Sequence, residues 1–491
     1  MQALLSQKFN ISIFLTQMAA MNGIITSQML TDLWLQLMLR RQIEIGMKQR
    51  YTGQGLQIQS RNMPDREAVN NKINCDFRGD IVDMFTGYLF GNPIKYTLKP
   101  ERYEKGQEDP QFIKDTAFFD SFLSINSFDD IDLETAKNQS ICGRGARLCY
   151  VATDKTENNY PNYRVIDIDP SECIFIYNPT TNELDYSARF YIVHETNSNG
   201  ELKPRLQAEF YDKQNVYYYI SDFQSGTKQD FKNFVVNKEM QPHNFNFVPL
   251  FEIQNNNERL GDFEKIEPLI DAYDKSISDS QNEFEAFRLA YLILTGATLG
   301  AKAKENLKQT GIYELAEGEK LEYLTKMVDT NFLNSHFDRL TKNIYRFSKT
   351  VDTSSDTFTG TGASGEARKW SLLPLENKGT IKINKFAKAL NYQFKVLASA
   401  WNKIGISITP EKISIQFDRN IPVEMKAQAD FAKTLKGIVS DRTIFENLSF
   451  IKNPDDEVSR IQDEQKNSLI SSDKFDDNKN DELIDEKANA S

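Results

Sequence analysis

Ile81-Val-Asp-Met-Phe-Thr-Gly-Tyr-Leu-Phe-Gly-Asn-Pro-Ile94 is the stretch from which the remainder of the chain can be read. Together with the residues before it, it places Ile73, Phe77, Ile81, Met84, Phe85 and Tyr88 along one helical face. Gly91-Asn-Pro93 supplies the Gly-then-Pro stop signal, since proline cannot continue a helix. An apolar helix face needs a surface to pack on. Upstream, Leu30, Leu33, Trp34, Leu37 and Met38 recur at spacings of 3 and 4 before Arg40 and Arg41, which predicts a second amphipathic helix. The turn-rich Tyr51-Thr-Gly-Gln-Gly55 separates the two.

Downstream the periodicity changes. Between about Tyr163 and Ile253 short runs rich in Val, Ile, Tyr and Phe alternate with clusters such as Asn178-Pro-Thr-Thr-Asn and Asn197-Ser-Asn-Gly, the pattern of an antiparallel meander. After Asp262 helical spacing returns. Phe263, Ile266, Ile270, Tyr273, Ile277, Phe284, Phe287 and Tyr291 form one long series, and Leu333, Phe337, Leu340, Ile344 and Phe347 a second. Pro268 fits near the start of the first, where its missing N–H is least felt. Between them lies a small mixed segment with Gly311-Ile-Tyr-Glu-Leu and Lys320-Leu-Glu-Tyr-Leu flanking the turn Ala316-Glu-Gly-Glu. A polar stretch, Ser348 to Ser364, leads to a third long helix through Ile381, Phe386, Leu390, Phe394, Leu397 and Trp401, and residues 421 to 470 read as short helices.

A length of 491 residues gives roughly three domains at about 150 residues each. With 40% hydrophobic residues the chain can bury a sizeable core. Its 59 Lys and Arg against 70 Asp and Glu leave −11, so any basic site is local. From Ser471 to the end, seven acids against three lysines predict a disordered acidic tail. The four cysteines Cys75, Cys142, Cys149 and Cys173 show no C-x-x-C spacing, and none has a histidine in a catalytic signature, so they read as thiols in a reducing compartment. Phe9 to Thr31 carries no charge, yet its Asn, Ser, Thr and Gln residues disfavour a bilayer and favour a helix packed on a core or partner.

Gly360-Thr-Gly-Ala-Ser-Gly365 matches the G-x-G-x-x-G pattern of phosphate-binding loops. No strand precedes it, and Glu366 stands where a phosphate loop requires Lys, so it reads as a flexible loop. Asp129-Asp130 and Asp455-Asp456-Glu457 lack the spacing of a calcium loop and read as solvated carboxylates. Arg339, Lys342, Arg346 and Lys349 recur at 3, 4 and 3 residues along the second long helix. This row either pairs with Asp271, Asp274, Asp279 and Glu283 of the first long helix or meets phosphate.

Five stretches, in order, resemble portal proteins of tailed bacteriophages, of the type found in siphophages of Gram-positive hosts. Asn70-Asn-Lys with Ile81 to Ile94 resembles the wing segment of that family. Asn282-Glu-Phe-Glu-Ala-Phe287, Ile344-Tyr-Arg-Phe-Ser348, Ala363-Ser-Gly-Glu-Ala367 with Leu372-Leu-Pro-Leu-Glu-Asn-Lys378, and Arg419-Asn-Ile-Pro422 with Gly437-Ile-Val-Ser-Asp-Arg-Thr443 are similar to it as well. The matches span about residues 25 to 465.

The resemblance implies an α+β phage portal fold with long stem helices, an antiparallel wing sheet, a small α/β clip and a helical crown. Mapped onto this chain, residues 1–24 are an N-terminal extension, 25–263 the wing, 264–290 and 329–347 the stem helices, and 291–328 the clip. Residues 348–366 are the tunnel loop, 367–420 the wing's long helix, 421–470 the crown and 471–491 the acidic tail. It implies a homo-oligomeric ring, usually of twelve subunits, at one capsid vertex of the virion, assembled in the host bacterial cytoplasm. Double-stranded DNA passes through its centre during packaging and ejection, without sequence readout. The implied partners are the terminase large subunit, which hydrolyses ATP, the major capsid and scaffolding proteins, and later the head–tail adaptor. Neither a cofactor nor a metal, a membrane or a catalytic residue is implied. The candidate DNA-facing residues are Thr357, Thr359, Thr361 and Ser364 of the tunnel loop. Arg339, Lys342, Arg346 and Lys349 of the stem either join them or form salt bridges between subunits. Two rival readings are a cytosolic nucleotide-binding enzyme using the Gly360 loop and a membrane-anchored oligomer using residues 9 to 31.

Overall fold

The structure is a computed structural model. It describes residues 11–21, 23–63, 69–99, 109–155, 160–196, 202–222, 233–287, 291–296, 317–324, 330–355, 370–421 and 425–448, with 200, 304–305, 451, 454, 457–462 and 464 besides. The chain divides into two compact units, Met1–Asn420 and Ile421–Ser491.

In the first unit, helix α1 (Ile11–Ala20) and the first turn of α2 (Ser27–Tyr51) both fall in the uncharged run Phe9 to Thr31. Gly23, at φ +82°, turns the chain between them, and the Thr26 hydroxyl caps α2 by accepting from the Met29 N–H. The stripe Leu30, Leu33, Trp34 and Leu37 is buried, as its spacing predicts, and Phe14 and Met18 of α1 join it. Among the described residues no helix is long and apolar enough to cross a membrane.

Helix α3 (Phe77–Phe90) begins where Asp76 accepts from the Gly79 N–H. Ile73, assigned to this helix from its spacing, lies in the non-helical segment before it. Helices α4 (Pro110–Asn126) and α5 (Phe128–Cys142) follow, joined through Ser127 in the left-handed region at φ 51°. Pro110 at the first position of α4 and Gly143 at φ +77° after α5 are the expected start and stop residues.

Two larger antiparallel sheets account for the strand-rich middle of the sequence. One has the order β3-β2-β9, from β2 (Arg144–Lys155), β3 (Pro161–Ile168) and β9 (Leu250–Gln254). The other is a five-stranded meander of β4 (Cys173–Tyr177), β5 (Leu184–Thr196), β6 (Leu202–Tyr211), β7 (Asn215–Asp222) and β8 (Val235–Pro242). Alternate residues Ala188 and Phe190 on β5, and Leu206, Ala208 and Phe210 on β6, face one side and bury the α2 stripe.

Helix α6 (Glu267–Phe287) starts from a 3-10 turn, with Pro268 in its first turn. Tyr291, grouped with that helix by spacing, instead opens strand β10 (Tyr291–Thr295), which pairs with β11 (Lys320–Leu324). Residues 311–315, which with Lys320 to Leu324 flank the turn Ala316-Glu-Gly-Glu, lie outside the described residues. Helix α7 (Thr330–Ser348) returns, and α8 (Leu373–Trp401) runs through the core, burying Phe386, Leu390, Phe394, Leu397 and Trp401. Strand β12 (Ile413–Gln416) closes a small sheet with β1 (Lys95–Leu98). The second unit contains α9 (Met425–Leu435) and α10 (Asp441–Glu446), the latter capped by Ser440. Residues 471–491, read as an acidic tail, are not among those described.

Candidate nucleic-acid interface

The candidate interface is an arm of two helices, α6 and α7, and its placement begins with how α6 is fastened. Three residues of the segment before α3 offer alternate backbone amides to one face of α6. Asn71 N–H donates to Asn282 Oδ1 at 2.7 Å, Ile73 N–H to Ser278 Oγ at 2.9 Å, and Cys75 N–H to Asp274 Oδ1 at 2.9 Å. The spacing explains the match. Two residues of extended chain advance about 6.6 Å, and four residues of helix advance about 6 Å, so period two on one side meets period four on the other. Asp274, Ser278 and Asn282 are buried, and each would be left short of a donor without this segment.

Arg78 continues the fastening into α3. Its side chain is 1% exposed and reaches Glu267, Asp271 and Asp274, at 2.9, 2.7 and 3.3 Å. Arg50 adds a second cation to Glu267 at 3.0 Å, and Arg61 pairs with Asp279. Burial pushes the Asp274 carboxyl up, against the pull of the Cys75 N–H and Arg78.

Helix α7 packs on α6 through rings. Tyr273 meets Phe337 edge to face at 5.4 Å and Phe77 at 4.9 Å, and Phe77 meets Tyr345 at 5.9 Å. The Tyr345 hydroxyl donates to Asp80 Oδ2 at 3.0 Å. Burial, with Asp352, Asp76 and Asp83 nearby, pushes Asp80 up, while that hydrogen bond opposes the shift. At the end of α7, the Lys378 ammonium donates to the Ser348 carbonyl at 3.1 Å, placing a cation where the helix dipole is negative.

Arg339, Lys342, Arg346 and Lys349 are all exposed. Among the described residues no carboxylate lies within ion-pair distance of any of them; Arg346 sits 5.8 Å from the Phe347 ring centroid. Pairing within the chain with Asp271, Asp274 and Asp279 is therefore not what the structure shows, because Arg78 and Arg61 hold those acids. Lys349 is also not the fourth rung of a helical row. The helix ends at Ser348, and Lys349 takes the left-handed conformation at φ 69°.

Thr357, Thr359, Thr361 and Ser364, and the whole of Gly360 to Gly365, lie outside the described residues. Among the described residues no group of three or more His, Cys, Asp or Glu side chains could hold a metal ion. The cysteines are free, three of them buried. Sequence reasoning missed Arg78, although the signal was present: with Ile81, Val82, Phe85 and Leu89 it occupies the buried stripe of α3. A cation in such a stripe requires buried acids opposite.

An antiparallel α+β body with two long helices and, between them in sequence, a pair of antiparallel strands is consistent with a phage portal. Residues 40–469 match the family described as phage portal protein, SPP1 Gp6-like, and the chain belongs to that family. It is 24% identical over 417 residues to the portal protein of Bacillus phage SPP1, covering 82% of this chain and 77% of that one. It is 23% identical over 433 residues to the portal protein of Clostridium phage phiCD119, covering 84% and 89%. Membership carries, in general terms, a place in the phage capsid and the role of a DNA-packaging channel.

Proposed function

We propose that the chain assembles into a closed homo-oligomeric ring, of about a dozen copies, whose axial channel passes double-stranded DNA into and out of a phage head. In this reading α6 and α7 are the stem, the β10 and β11 hairpin belongs to the clip, residues 421–470 form the crown, and 348–366 is the tunnel loop. The observation that carries the reading is the exposed row Arg339, Lys342 and Arg346 on a helix whose neighbour's acids are already engaged. Cations left without a partner in the chain suit phosphate, and few of them in a chain of net charge −11 suit passage more than retention. Contact is with backbone and carries no sequence readout. The chain acts as a conduit and not as a catalyst. The terminase motor docks on the clip and supplies the work, and the head–tail adaptor replaces it later. Relatives in a Bacillus phage and a Clostridium phage support a Gram-positive host.

A second reading assigns the same cations to carboxylates of the neighbouring subunit. Both are tested by negative-stain electron microscopy of the purified chain with its mass by light scattering. Rings with an axial hole and a mass near a dozen subunits support the channel; a monomer that stays monomeric in the presence of scaffolding and capsid protein overturns it.

A further inference from the structure

Outside the arm, a cavity of about 330 Å³ opens between α8, the β4 to β5 hairpin and the end of β9. Its walls are unlike the rest of this acidic chain. Helix α8 carries five lysines and one glutamate between Leu373 and Trp401, and Lys385, Lys388 and Lys395 all line the cavity. Lys388 and Lys395 are exposed. No described carboxylate is in ion-pair distance of these three: Lys385 donates to Asn257 Oδ1, and Lys395 lies 4.5 Å from the Phe247 ring centroid. Of the two acids in the wall, Glu183 and Glu252, the second is already neutralised. Glu252 is ion-paired to Arg259 and Arg144 and accepts from the Tyr177 hydroxyl at 3.1 Å; burial pushes its carboxyl up, but the two arginines outweigh it and hold the group below the ordinary carboxylate range. Glu183 is exposed on the hairpin.

The floor is apolar. Phe251 and Tyr392 meet edge to face with centroids 5.5 Å apart, and the Tyr392 hydroxyl is spent on the Val248 carbonyl at 3.1 Å. The cavity thus offers an apolar recess beside a line of cations. From Lys385 to Lys395 that line spans about 15 Å at 1.5 Å per residue, longer than one phosphate group and the length of four or five extended residues. A DNA duplex, with a major groove alone about 12 Å wide, does not enter such a space. The rings pack edge to face and under a lysine, where single-stranded nucleic acid would need them as stacking platforms.

We infer that this cleft docks an extended acidic peptide segment of a partner protein, one bulky apolar side chain filling the recess and flanking carboxylates lying on Lys385, Lys388 and Lys395. The inference is independent of the channel reading, since it uses no residue of the arm.

The test uses the purified full-length chain and a fluorescein-labelled peptide, Asp-Glu-Leu-Asp-Glu, read by fluorescence polarisation in 50 and 300 mM salt. Saturable binding is expected. It should weaken at least tenfold in the double variant Lys388→Glu, Lys395→Glu, and at least fivefold when the peptide leucine is replaced by serine. Both lysines are exposed, so the variant's melting temperature should match the native one. Absence of saturable binding, or binding that the double variant leaves unchanged, overturns the proposal. So does equal competition by an oligothymidylate of matched charge, which would make the patch an unselective anion surface.

Discussion

Ile73 donates its backbone N–H to the Ser278 hydroxyl at 2.9 Å, across 205 positions of sequence. That hydroxyl in turn donates to the Asp274 carbonyl at 2.7 Å, so one buried side chain ties a passing segment to the helix that supports the arm. Ser278→Ala leaves the Ile73 amide without its acceptor, which costs about 1–3 kcal/mol. Hydrogen exchange should show the amides of residues 71 to 75 losing protection while the five-stranded sheet keeps its own. Uniform loss across the chain would mean the tie is not local.

Arg78→Ala strands Asp271 and Asp274 and leaves Glu267 with Arg50 alone, and removing one partner from a buried cluster of charges costs about 3–5 kcal/mol. Arg78→Lys should recover only part of it, because an ammonium cannot present the guanidinium fork to three carboxylates. Chemical denaturation of the two variants checks the order: native above lysine above alanine.

Replacing Arg339, Lys342 and Arg346 together by Ala should leave folding and ring formation intact, since all three are exposed and lack acidic partners among the described residues. Retention of packaged DNA should change, and the salt dependence of DNA binding should become shallower. Loss of the ring itself would assign these cations to the neighbouring subunit.

Asp167 gives the chain a pH signature. Burial raises its carboxyl from 3.8 to about 6, although Thr135, Arg147, Lys48 and Asn138 oppose the shift. A folded carboxyl that holds its proton more tightly than the unfolded one stabilises fully below about pH 3.8 and loses that contribution as pH rises through 6. Asp167→Asn removes the titration. The melting temperature of the variant minus that of the native chain should therefore rise between pH 4 and 7. A flat difference would contradict the assignment.

Gly143 follows α5 in the left-handed region, at φ +77°, and a Cβ there would overlap the Arg259 carbonyl. Gly143→Ala should destabilise by more than the ~1 kcal/mol of the backbone conformation alone. Gly200, at φ +80° with open space around it, is the control: its alanine variant should show only the backbone contribution in the same melt.

The apolar periodicities carried most of the fold. The α2 stripe, the meander and the two arm helices were all legible because burial repeats every 3.6 or 2 residues. Legibility failed where spacing continued past a structural break. Ile73 keeps helical spacing before a helix that begins at Phe77, and Tyr291 after one that ends at Phe287, so spacing alone does not mark either boundary. The partner of Asp271 and Asp274 was legible only as a cation set in the α3 stripe, and spacing did not select it. Helix α7 offers cations at matching spacing, and only three-dimensional placement shows that Arg78, nearly 200 residues earlier, reaches those acids first.

The distance in sequence between Arg78 and Asp274 also sets an order of events during synthesis. At about 5–20 residues per second, a ribosome makes the 196 residues between them in roughly 10–40 s. Through that interval the nascent chain presents segment 71–78 with its amides and its guanidinium solvated. Helix α6 cannot bury its three acids until that surface is waiting for it. Docking of the arm is thus a late step that joins the start of the message to its middle. The waiting segment is then the point at which a chaperone, or a neighbouring chain still on its own ribosome, has the most time to intervene.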